Sequence, residues 1–486
     1  MNDAHDLELL LRSGVPLVQM ETRQEQRALA LLDWLQGPLG LPLYRWSVTE
    51  GLARVVGGLA MEGEHREPPE VLARIKEGAQ AGLYALLDFH PYVDEPVHVR
   101  LLKDIAMRHE ATRQVLVFIS HRIELPAELS AWTARFRLSL PGREERLRIV
   151  REVAREWKQA HPGRKVKAEA GALDALVDNL AGLTPAEVRR LARRAIFDDG
   201  AVTGDDVPAV AEAKHRLLNR AGVLGYVFAT ERFSDIAGLA ALKRWLELRH
   251  EAFRRGEGPD LPRGILLLGV QGCGKSLAAK AVAGTWGVPL LSLDMGALYN
   301  KYHGETERNV REALATAEAM APCVLWIDEI EKGVAHGGED GGTSRRVLAT
   351  LLTWMAERRA PVFLVATAND ISALPPELVR KGRFDEIFFV DLPDAATRAA
   401  IFAIHLDKRG QAPARFNLEE LAAATEGFSG AEIEQVVVAA RYAGGERIRH
   451  QDLMDAVRKT RPLSRVMAEH IGRLREWGRT RAVPAG

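Results

Sequence analysis

Short apolar runs alternate with helical patterns in the second half of the chain. Three of these runs are Ile265–Leu268, Cys323–Ile327 and Val362–Ala368, and each one ends at glycine or a polar residue. Uninterrupted apolar runs of this length are typical of strands buried in a sheet, and intervening helices are what parallel strands require. The pattern therefore predicts an α/β core over about residues 233–393.

The first of these strands leads into a glycine-rich loop. Residues 269–276 read Gly-Val-Gln-Gly-Cys-Gly-Lys-Ser, and a helical pattern follows from Leu277. Glycines let the backbone N–H groups turn towards a polyphosphate, and the positive end of the next helix adds to the attraction. In such a loop Lys275 is expected to reach the β- and γ-phosphates of ATP, and Ser276 to hold Mg²⁺. The residues expected to contact ATP here are Gly269, Gln271, Gly272, Cys273, Gly274, Lys275, Ser276 and Leu277.

Polar side chains follow the next two strands. Asp328 and Glu329 come directly after Cys323–Ile327, and Asn369 comes directly after Val362–Ala368. An acid pair beside a phosphate loop suits metal-assisted hydrolysis, with Asp328 holding Mg²⁺ and Glu329 activating the attacking water. Asn369 is expected to bind the γ-phosphate or that water. A kinase needs no such glutamate, so the pair favours a nucleotide hydrolase.

Two arginines, Arg380 and Arg383, lie on a turn beyond Asn369. This turn is too far along the sheet for the chain's own nucleotide, but it is well placed to reach the nucleotide of a neighbouring subunit. An arginine supplied in this way raises the rate by roughly 10³–10⁵. The two arginines therefore predict a homo-oligomer with shared active sites.

Together these motifs resemble the AAA family of ATPases over Phe233 to about Arg461. Phe233–Leu239 resembles the family's segment that packs its backbone on the adenine. Gly427–Ile433 resembles the start of the small helical domain that closes over the nucleotide. One departure is Cys273, where the family more often has threonine or serine.

The resemblance implies further roles. Asp235, Ile236 and Ala237 are expected to contact ATP, Asn369 to act as the sensor residue, and the two arginines to act as arginine fingers. More narrowly, Gly342–Val347 followed by Leu352–Met355 is similar to the divergent AAA proteins of plastid and cyanobacterial reading frames, whose first AAA domain is degenerate.

A candidate pore loop lies in Leu298–Glu305. The family places this segment at a central pore, where an aromatic residue grips an extended polypeptide. The resemblance implies that Tyr302 is this residue, with Lys301 and His303 beside it. The alternative is an ordinary half-buried tyrosine at the start of a helix.

The N-terminal half contains a weak copy of the second half. Four pairs of segments match in the same order, and this predicts a duplicated fold. The pairs are Gly40–Leu43 with Gly287–Leu290, Leu125–Leu129 with Leu374–Leu378, Leu140–Pro141 with Leu392–Pro393, and Gly182–Val188 with Gly427–Ile433.

The first copy lacks the phosphate-binding residues. In this register the loop has no glycine, Glu25 replaces the lysine, and Phe89 replaces the catalytic glutamate after Asp88. A carboxylate facing a triphosphate repels it. The first copy is therefore expected neither to bind nor to hydrolyse ATP, and to act as a scaffold, a docking platform or a clamp.

Composition restricts the other function classes. A chain of 486 residues is too long to fold around a single hydrophobic core, so more than one domain is expected. Its 66 basic residues balance 66 acidic ones, which gives no general attraction to nucleic acid or anionic lipid. Two cysteines provide no disulfide framework, and no apolar run approaches the roughly 20 residues that span a membrane. These features predict a cytoplasmic protein.

The expected fold is an α/β P-loop AAA module with a parallel sheet between helices and a small helical lid, preceded by a degenerate AAA-like module. The expected function is ATP hydrolysis by an oligomer, expected to be a hexamer, that remodels or unfolds an unidentified protein substrate or adaptor-bound protein. A nucleotide-switched regulator and a nucleic-acid motor are the alternatives. The expected segments are a degenerate module (1–220), a linker (221–232), the ATPase core (233–393), the lid (394–470) and a solvated or frayed tail (471–486).

Overall fold

The chain forms two compact units, Met1–Pro141 and Gly142–Gly486. Each unit has its own sheet and its own hydrophobic cores. The computed structural model describes residues 2–57, 59–60, 63–219, 222–227, 231–256, 258, 260–296, 306–334, 341–380, 382–445 and 447–486.

A seven-stranded sheet forms the centre of the first unit. Its strands are β1 (Leu17–Glu21), β2 (Leu43–Ser47), β3 (Gly51–Val56), β4 (Leu59–Ala60), β5 (Gly82–Leu87), β6 (Gln114–Ser120) and β7 (Thr133–Phe136). They are arranged in the order β4-β3-β2-β5-β6-β1-β7. The five strands from β2 to β7 in this order pair in parallel, and β3 and β4 extend the edge in the antiparallel direction.

Helices cover both faces of this sheet. They are α1 (Asn2–Arg12), α2 (Glu25–Leu39), α3 (Pro68–Gly78), α4 (Pro96–Met107) and α5 (His109–Thr112). Alternate residues of β5 enter different cores, since Leu83 and Ala85 pack with α1 and α2 whereas Tyr84 and Leu86 pack with α3 and α4. A strand that is buried on both faces needs an uninterrupted apolar sequence, which explains its composition.

The second unit contains another seven-stranded sheet and a short two-stranded one. The strands are β8 (Lys167–Ala168), β9 (Ala201–Val202), β10 (Leu224–Val227), β11 (Gly264–Gly269), β12 (Leu290–Leu293), β13 (Cys323–Ile327), β14 (Val362–Ala368), β15 (Glu386–Val390) and β16 (Val483–Pro484). The large sheet has the order β10-β12-β13-β14-β11-β15-β16, and β8 pairs with β9.

The helices of the second unit fall into three successive groups: those before β10, those between the strands of the large sheet, and those of the lid and the C-terminal segment. They are α6 (Arg143–Ala160), α7 (Ala172–Asn179), α8 (Pro185–Asp199), α9 (Asp206–Leu218), α10 (Ala240–Arg255), α11 (Lys275–Trp286), α12 (Thr306–Ala319), α13 (Glu331–Val334), α14 (Gly341–Glu357), α15 (Pro376–Val379), α16 (Ala395–Asp407), α17 (Leu418–Ala424), α18 (Gly430–Gly444), α19 (His450–Lys459), α20 (Leu463–Val466) and α21 (Ala468–Arg481). None of the helices in the described ranges has the length and apolarity needed to cross a membrane.

The two large sheets share one topology. The parallel part of the first has the order β2-β5-β6-β1-β7, and five parallel strands of the second have the order β12-β13-β14-β11-β15, to which β16 adds a further parallel strand at the edge. Among these five strands, the one that comes first in the chain lies between the fourth and the fifth: β1 lies between β6 and β7, and β11 lies between β14 and β15. The predicted α/β class is confirmed, and the shared order supports the duplication inferred from the sequence.

The C-terminal segment is ordered, so the expectation of a solvated or frayed tail is wrong. Helix α21 buries Ile471 and Leu474, and β16 pairs in parallel with β15. Gly478 allows the close packing, because a Cβ atom there would lie 2.7 Å from the ring of Phe389. Tertiary contacts rather than local sequence signals hold this segment in place.

Helices α6 to α9 pack on the ATPase core of the second unit. Leu218 contacts the core of these helices and the core of the large sheet. Near α12, a Cβ atom on Gly182 would lie 2.7 Å from the carbonyl oxygen of Ala319. Lys214 of α9 is 1% exposed, and its burial lowers the pKa of the ammonium group to about 8.

Replacing Lys214 with methionine is expected to stabilise the protein. Because the pKa of the lysine is lower in the folded state, the unfolded chain binds more protons between about pH 8 and 10. The wild-type penalty is therefore largest below pH 8 and falls as the pH rises. Urea unfolding is expected to give Lys214→Met an advantage of about 2–3 kcal/mol at pH 7 that shrinks towards pH 10. A difference that does not vary with pH would contradict the assignment of the penalty to this charge.

Candidate active site

The phosphate loop connects β11 to α11 and depends on two close backbone approaches. A Cβ atom on Gly269 would lie 2.0 Å from the carbonyl oxygen of Val390. Gly272 has φ +77°, and a Cβ atom there would lie 3.0 Å from the Ser429 hydroxyl oxygen. Only glycine meets both requirements without displacing a neighbour.

Lys275 and Ser276 begin the helix that follows the loop. The Lys275 ammonium donates hydrogen bonds to the carbonyl oxygens of Gly269 at 2.8 Å and Val270 at 2.9 Å. Its side chain is buried inside the loop, and this burial lowers the pKa of the lysine. The Ser276 hydroxyl donates to the Asp328 carboxylate at 3.3 Å. The start of this helix therefore places the Ser276 hydroxyl against the acid pair.

Thr367 connects the acid pair to the neighbouring strand. Its hydroxyl donates to the Asp328 carboxylate and accepts a hydrogen bond from the backbone N–H of Glu329 at 3.0 Å. Glu329 has φ +46°, a left-handed conformation that is unusual for a residue with a side chain. Such conformations persist where the surrounding structure enforces them, and they occur often at functional sites.

The Glu329 carboxylate has two partners. Asn369 donates its side-chain amide to it at 2.8 Å, and Lys332 forms an ion pair with it. Asn369 is itself positioned by Glu331, whose carboxylate accepts its backbone N–H at 2.9 Å. Burial raises the pKa of Glu331, and its second carboxylate oxygen has no hydrogen-bond partner among the described residues.

Asp328, Glu329, Thr367 and Asn369 line a cavity of about 860 Å³ in the second unit. The cavity brings together most of the residues that the sequence predicts for ATP and metal binding. Those lining it are Asp235, Ile236, Ala237, Gln271, Gly272, Cys273, Gly274, Lys275, Ser276, Leu277, Asp328, Glu329 and Asn369. Gly269 contributes through its carbonyl group, which accepts the Lys275 ammonium.

The other predicted site residues lie elsewhere. Arg380 is exposed, and Arg383 donates to the carbonyl oxygen of Leu352 on α14 at 2.7 Å. Neither arginine lines the cavity of its own chain. The proposed pore-loop residues Lys301, Tyr302 and His303 fall outside the described residues.

The lid contacts the phosphate loop directly. The backbone N–H of Ala431, at the start of α18, donates to the carbonyl oxygen of Gly272 at 3.0 Å. This helix begins with a capping box, in which Ser429 and Glu432 each accept the other's backbone N–H. The motif therefore fixes the start of the lid helix against the loop.

Sequence reasoning missed several of the residues that line the cavity. Thr367 lies inside an apolar strand, where threonine is an ordinary strand residue and gives no signal of its own. His405 of α16 also lines the cavity, and burial lowers the pKa of its imidazole. Another group of missed residues belongs to the C-terminal segment: Arg475, Gly478, Arg479, Pro484, Ala485 and Gly486.

Several comparisons with known proteins match this arrangement. Residues 265–392 match the ATPase family associated with various cellular activities (AAA), and residues 415–459 match the AAA+ lid domain. Residues 3–138 and 144–221 match the N-terminal and second domains of SpoVK-like AAA ATPases. The chain is 34% identical over 490 residues to the AAA domain-containing protein ycf46 of Pyropia yezoensis, which covers 98% of both chains.

The chain belongs to the AAA ATPase family.

Other relatives extend this assignment. The ycf46 protein of Guillardia theta is 33% identical and covers 98% of this chain and 95% of its own. The proteasome-activating nucleotidase of Aeropyrum pernix is 38% identical over 246 residues, which are 47% of this chain and 60% of that protein. The two ycf46 proteins match this chain over nearly its whole length. The nucleotidase matches less than half of it.

The first unit of this AAA ATPase has a different loop at the equivalent place. Glu25 is the first residue of α2, just as Lys275 is the first residue of α11, which supports the predicted register. Residues 22–24 separate Glu21 from Glu25, whereas residues 270–274 separate Gly269 from Lys275. The shorter loop contains no glycine, and a carboxylate replaces the ammonium.

The structure corrects one part of the proposed alignment. Asp88 has φ +48°, close to the +46° of Glu329, and both residues are followed by a buried apolar residue, Phe89 or Ile330. Asp88 therefore lies at the position of Glu329, whereas the sequence alignment placed Phe89 there. The error arose because an apolar pattern does not reveal where the backbone reverses its φ angle.

The C-terminal strand completes one wall of the cavity. The carbonyl oxygen of Ala485 accepts the backbone N–H groups of Ala241 and Leu242, both at 3.1 Å, and its own N–H donates to Phe389 at 3.0 Å. Helix α10 begins at Ala240, so Ala485 satisfies two of the free N–H groups at its start. This helix follows the predicted adenine-binding segment directly.

Deleting Val483–Gly486 is expected to weaken nucleotide binding. The deletion removes the acceptor of two backbone N–H groups at the start of α10, and a buried N–H group costs about 1–3 kcal/mol when left unpaired. Part of that cost falls on the segment that lines the cavity, so the Kd measured by calorimetry is expected to rise at least about tenfold. Val483→Thr is the control, because it changes an exposed side chain and keeps the backbone pairing. An unchanged Kd in the deletion variant would show that this wall does not support the nucleotide.

Proposed function

We propose that this AAA ATPase is a Mg²⁺-dependent, oligomeric protein remodeller with one working ATP site per chain. The observation that carries the catalytic part is the hydrogen-bonded group formed by Asp328, Glu329, Thr367 and Asn369 beside the phosphate loop. It combines a metal-binding carboxylate with a second carboxylate that can accept a proton from water.

The donor set at Asp328 fits Mg²⁺. A carboxylate, the Ser276 hydroxyl and the Thr367 hydroxyl meet there, and oxygen ligands are those that Mg²⁺ prefers. A metal held there would supply positive charge that offsets the negative charge developing on the phosphates. Ser276 and Asp328 would hold the metal, and Thr367 would orient the Asp328 carboxylate.

Each remaining residue has a distinct role in this proposal. Lys275 exchanges its carbonyl partners for the terminal phosphates, and Glu329 removes a proton from the attacking water. Asn369 holds the Glu329 carboxylate and then contacts the γ-phosphate or the water. Arg380 is exposed and lies away from its own cavity, which supports a role at the site of a neighbouring subunit.

The remodelling role rests on relatives of the ATPase core. These include an FtsH ATP-dependent zinc metalloprotease, a proteasome-activating nucleotidase and a cell division cycle protein 48 homologue. A hexameric, cytoplasmic machine that pulls a polypeptide past Tyr302 is the corresponding proposal for this chain. Loss of substrate unfolding in Tyr302→Ala, with ATP hydrolysis retained, would support it.

A nucleotide-switched regulator is the second candidate. Glu329 is held by both Asn369 and Lys332, and a water-activating carboxylate with two partners favours slow turnover. Such a protein would hydrolyse ATP without unfolding any substrate, and Tyr302→Ala would leave its partner binding unchanged.

Glu329→Gln is expected to abolish hydrolysis and to preserve binding. The carboxylate acts on water rather than on the nucleotide, so turnover should fall by at least about 100-fold while the Kd for ATP stays close to the wild-type value. Calorimetry on this variant should count one ATP per chain, because the first unit lacks the phosphate loop.

Glu331→Gln is the matched control for this experiment. It makes the same chemical change two residues further on and keeps the oxygen that accepts the Asn369 N–H. Because burial raises the pKa of Glu331, the neutral amide is expected to be tolerated there, with ATPase activity near the wild-type value. Wild-type turnover in Glu329→Gln, or two ATP molecules per chain, would refute the assigned base or the inactive first copy.

Mixing two inactive variants tests the shared site. Lys275→Ala disables the loop side and Arg380→Ala disables the arginine side, so mixed oligomers should contain some interfaces with both sides intact. Part of the ATPase activity is therefore expected to return on mixing. Lys275→Ala mixed with Glu329→Gln is the control, because both changes damage the loop side and no interface becomes complete. Failure to recover activity in oligomers shown to contain both variants would exclude Arg380 as the trans residue.

A further inference from the structure

Three metal-ligating side chains meet in the first unit, at the carboxyl edge of its sheet. Asp88 and His90 follow β5, and His121 follows the adjacent parallel strand β6. One ligand atom from each residue lies within 4.8 Å of the other two. His90 Nδ1 is 3.9 Å from an Asp88 carboxylate oxygen, and the two imidazole rings are 4.7 Å apart between centroids.

A ring nitrogen of His90 has no hydrogen-bond partner in the described part of the chain. His90 Nδ1 is buried and makes no hydrogen bond within the described ranges. Buried polar atoms are almost always satisfied, so an unpaired imidazole nitrogen points to an ion or a water molecule beside it. The carboxylate and the second imidazole nearby are chemically suited to share such an ion.

A buried aromatic residue fixes the backbone that carries two of the ligands. Phe89 lies between Asp88 and His90 in sequence and is 0% exposed. Its ring contacts a cluster of aromatic side chains from four parts of the unit: Trp46, Tyr92, His98 and Phe118. Movement of the Asp88 or His90 backbone would disturb this cluster, so the two ligands are held on a rigid support.

The equivalent edge of the second unit shows how the chemistry has changed. There, Asp328 meets the hydroxyls of Ser276 and Thr367, an oxygen-only set that suits Mg²⁺. In the first unit the carboxylate, Asp88, meets two imidazoles. Imidazole ligands favour zinc and other transition metals over Mg²⁺.

We propose that Asp88, His90 and His121 form a binding site for a divalent transition metal of the zinc class. Zinc–ligand bonds of about 2.0–2.1 Å in a tetrahedron place ligand atoms about 3.4 Å apart. The ligand atoms now lie within 4.8 Å of one another, so they must approach further to bind one ion. The exposed Asp88 and His121 side chains can do this by rotation, without movement of the buried Phe89. Three protein ligands leave a fourth position for water or for a group from a partner.

The test is Co²⁺ titration of the untagged full-length protein after treatment with a chelator, in the presence of excess Mg²⁺ and without nucleotide. Mg²⁺ occupies the oxygen-only site, so Co²⁺ reports on the imidazole site. One equivalent per chain is expected, with the visible absorption of low-coordinate Co²⁺, and Zn²⁺ is expected to displace it. Loss of a residue that only supports a metal ligand costs about 10- to 100-fold in affinity, so His90→Ala and His121→Ala should each cost at least that much.

Two controls distinguish this site from Co²⁺ binding elsewhere on the chain. His5→Ala removes an exposed imidazole of the same unit that lies outside the cluster, and it should leave the titration unchanged. Asp328→Asn alters the oxygen-only site and should also leave the Co²⁺ spectrum unchanged. Absence of stoichiometric binding, or binding that survives both His90→Ala and His121→Ala, would overturn the proposal.

Discussion

The Thr367 hydroxyl is the contact on which the geometry of the ATPase site depends. Thr367 is 1% exposed, and its hydroxyl donates to Asp328 and accepts the backbone N–H of Glu329. The carbonyl group of the same residue accepts the N–H of Ile330, so three consecutive residues after β13 are tied to one residue of β14. A left-handed residue costs about 1–3 kcal/mol, and these bonds are what hold Glu329 in that conformation. The backbone that carries the Glu329 carboxylate is therefore held in place by the neighbouring strand.

The two units share one fold but carry different polar side chains at the carboxyl edge of the sheet. Both sheets have the same order of parallel strands, and both keep a left-handed acidic residue after the equivalent strand, Asp88 or Glu329. The backbone turn has been retained although the phosphate loop of the first unit is short and carries Glu25. A scaffold that preserves a strained turn without its original ligand is consistent with another ligand at that edge.

Much of the site could be predicted because it depends on local patterns. A glycine-rich loop between a strand and a helix, and acidic or amide residues at strand ends, have fixed positions once the strands are assigned. The match between Gly182–Val188 and Gly427–Ile433 also has a local cause, since both segments form capping boxes at the start of a helix. Local signals of this kind survive in sequence even when the chemistry around them changes.

The remaining features depend on contacts between distant segments, and no local pattern encodes them. Val483–Pro484 is too short to show the alternation of a strand, and it becomes one only because β15 offers a free edge. The hydrogen bonds of Thr367 and the burial of Lys214 also result from contacts between segments that are far apart in the sequence. The equivalence of Asp88 and Glu329 in the two sheets depends on a φ angle, which the composition of the strand does not determine.

The two arginines beyond Asn369 illustrate why equal sequence signals can have unequal roles. Arg383 donates to the Leu352 carbonyl and so ties the arginine turn to α14, whereas Arg380 is exposed on the same turn. Removal of Arg383 would free a backbone acceptor and loosen the turn, so an activity loss in an Arg383 variant would have a structural explanation as well. Removal of Arg380 leaves that tie intact. A catalytic defect in an Arg380 variant can therefore be attributed to the missing charge, and this makes Arg380 the better probe of whether subunits share their active sites.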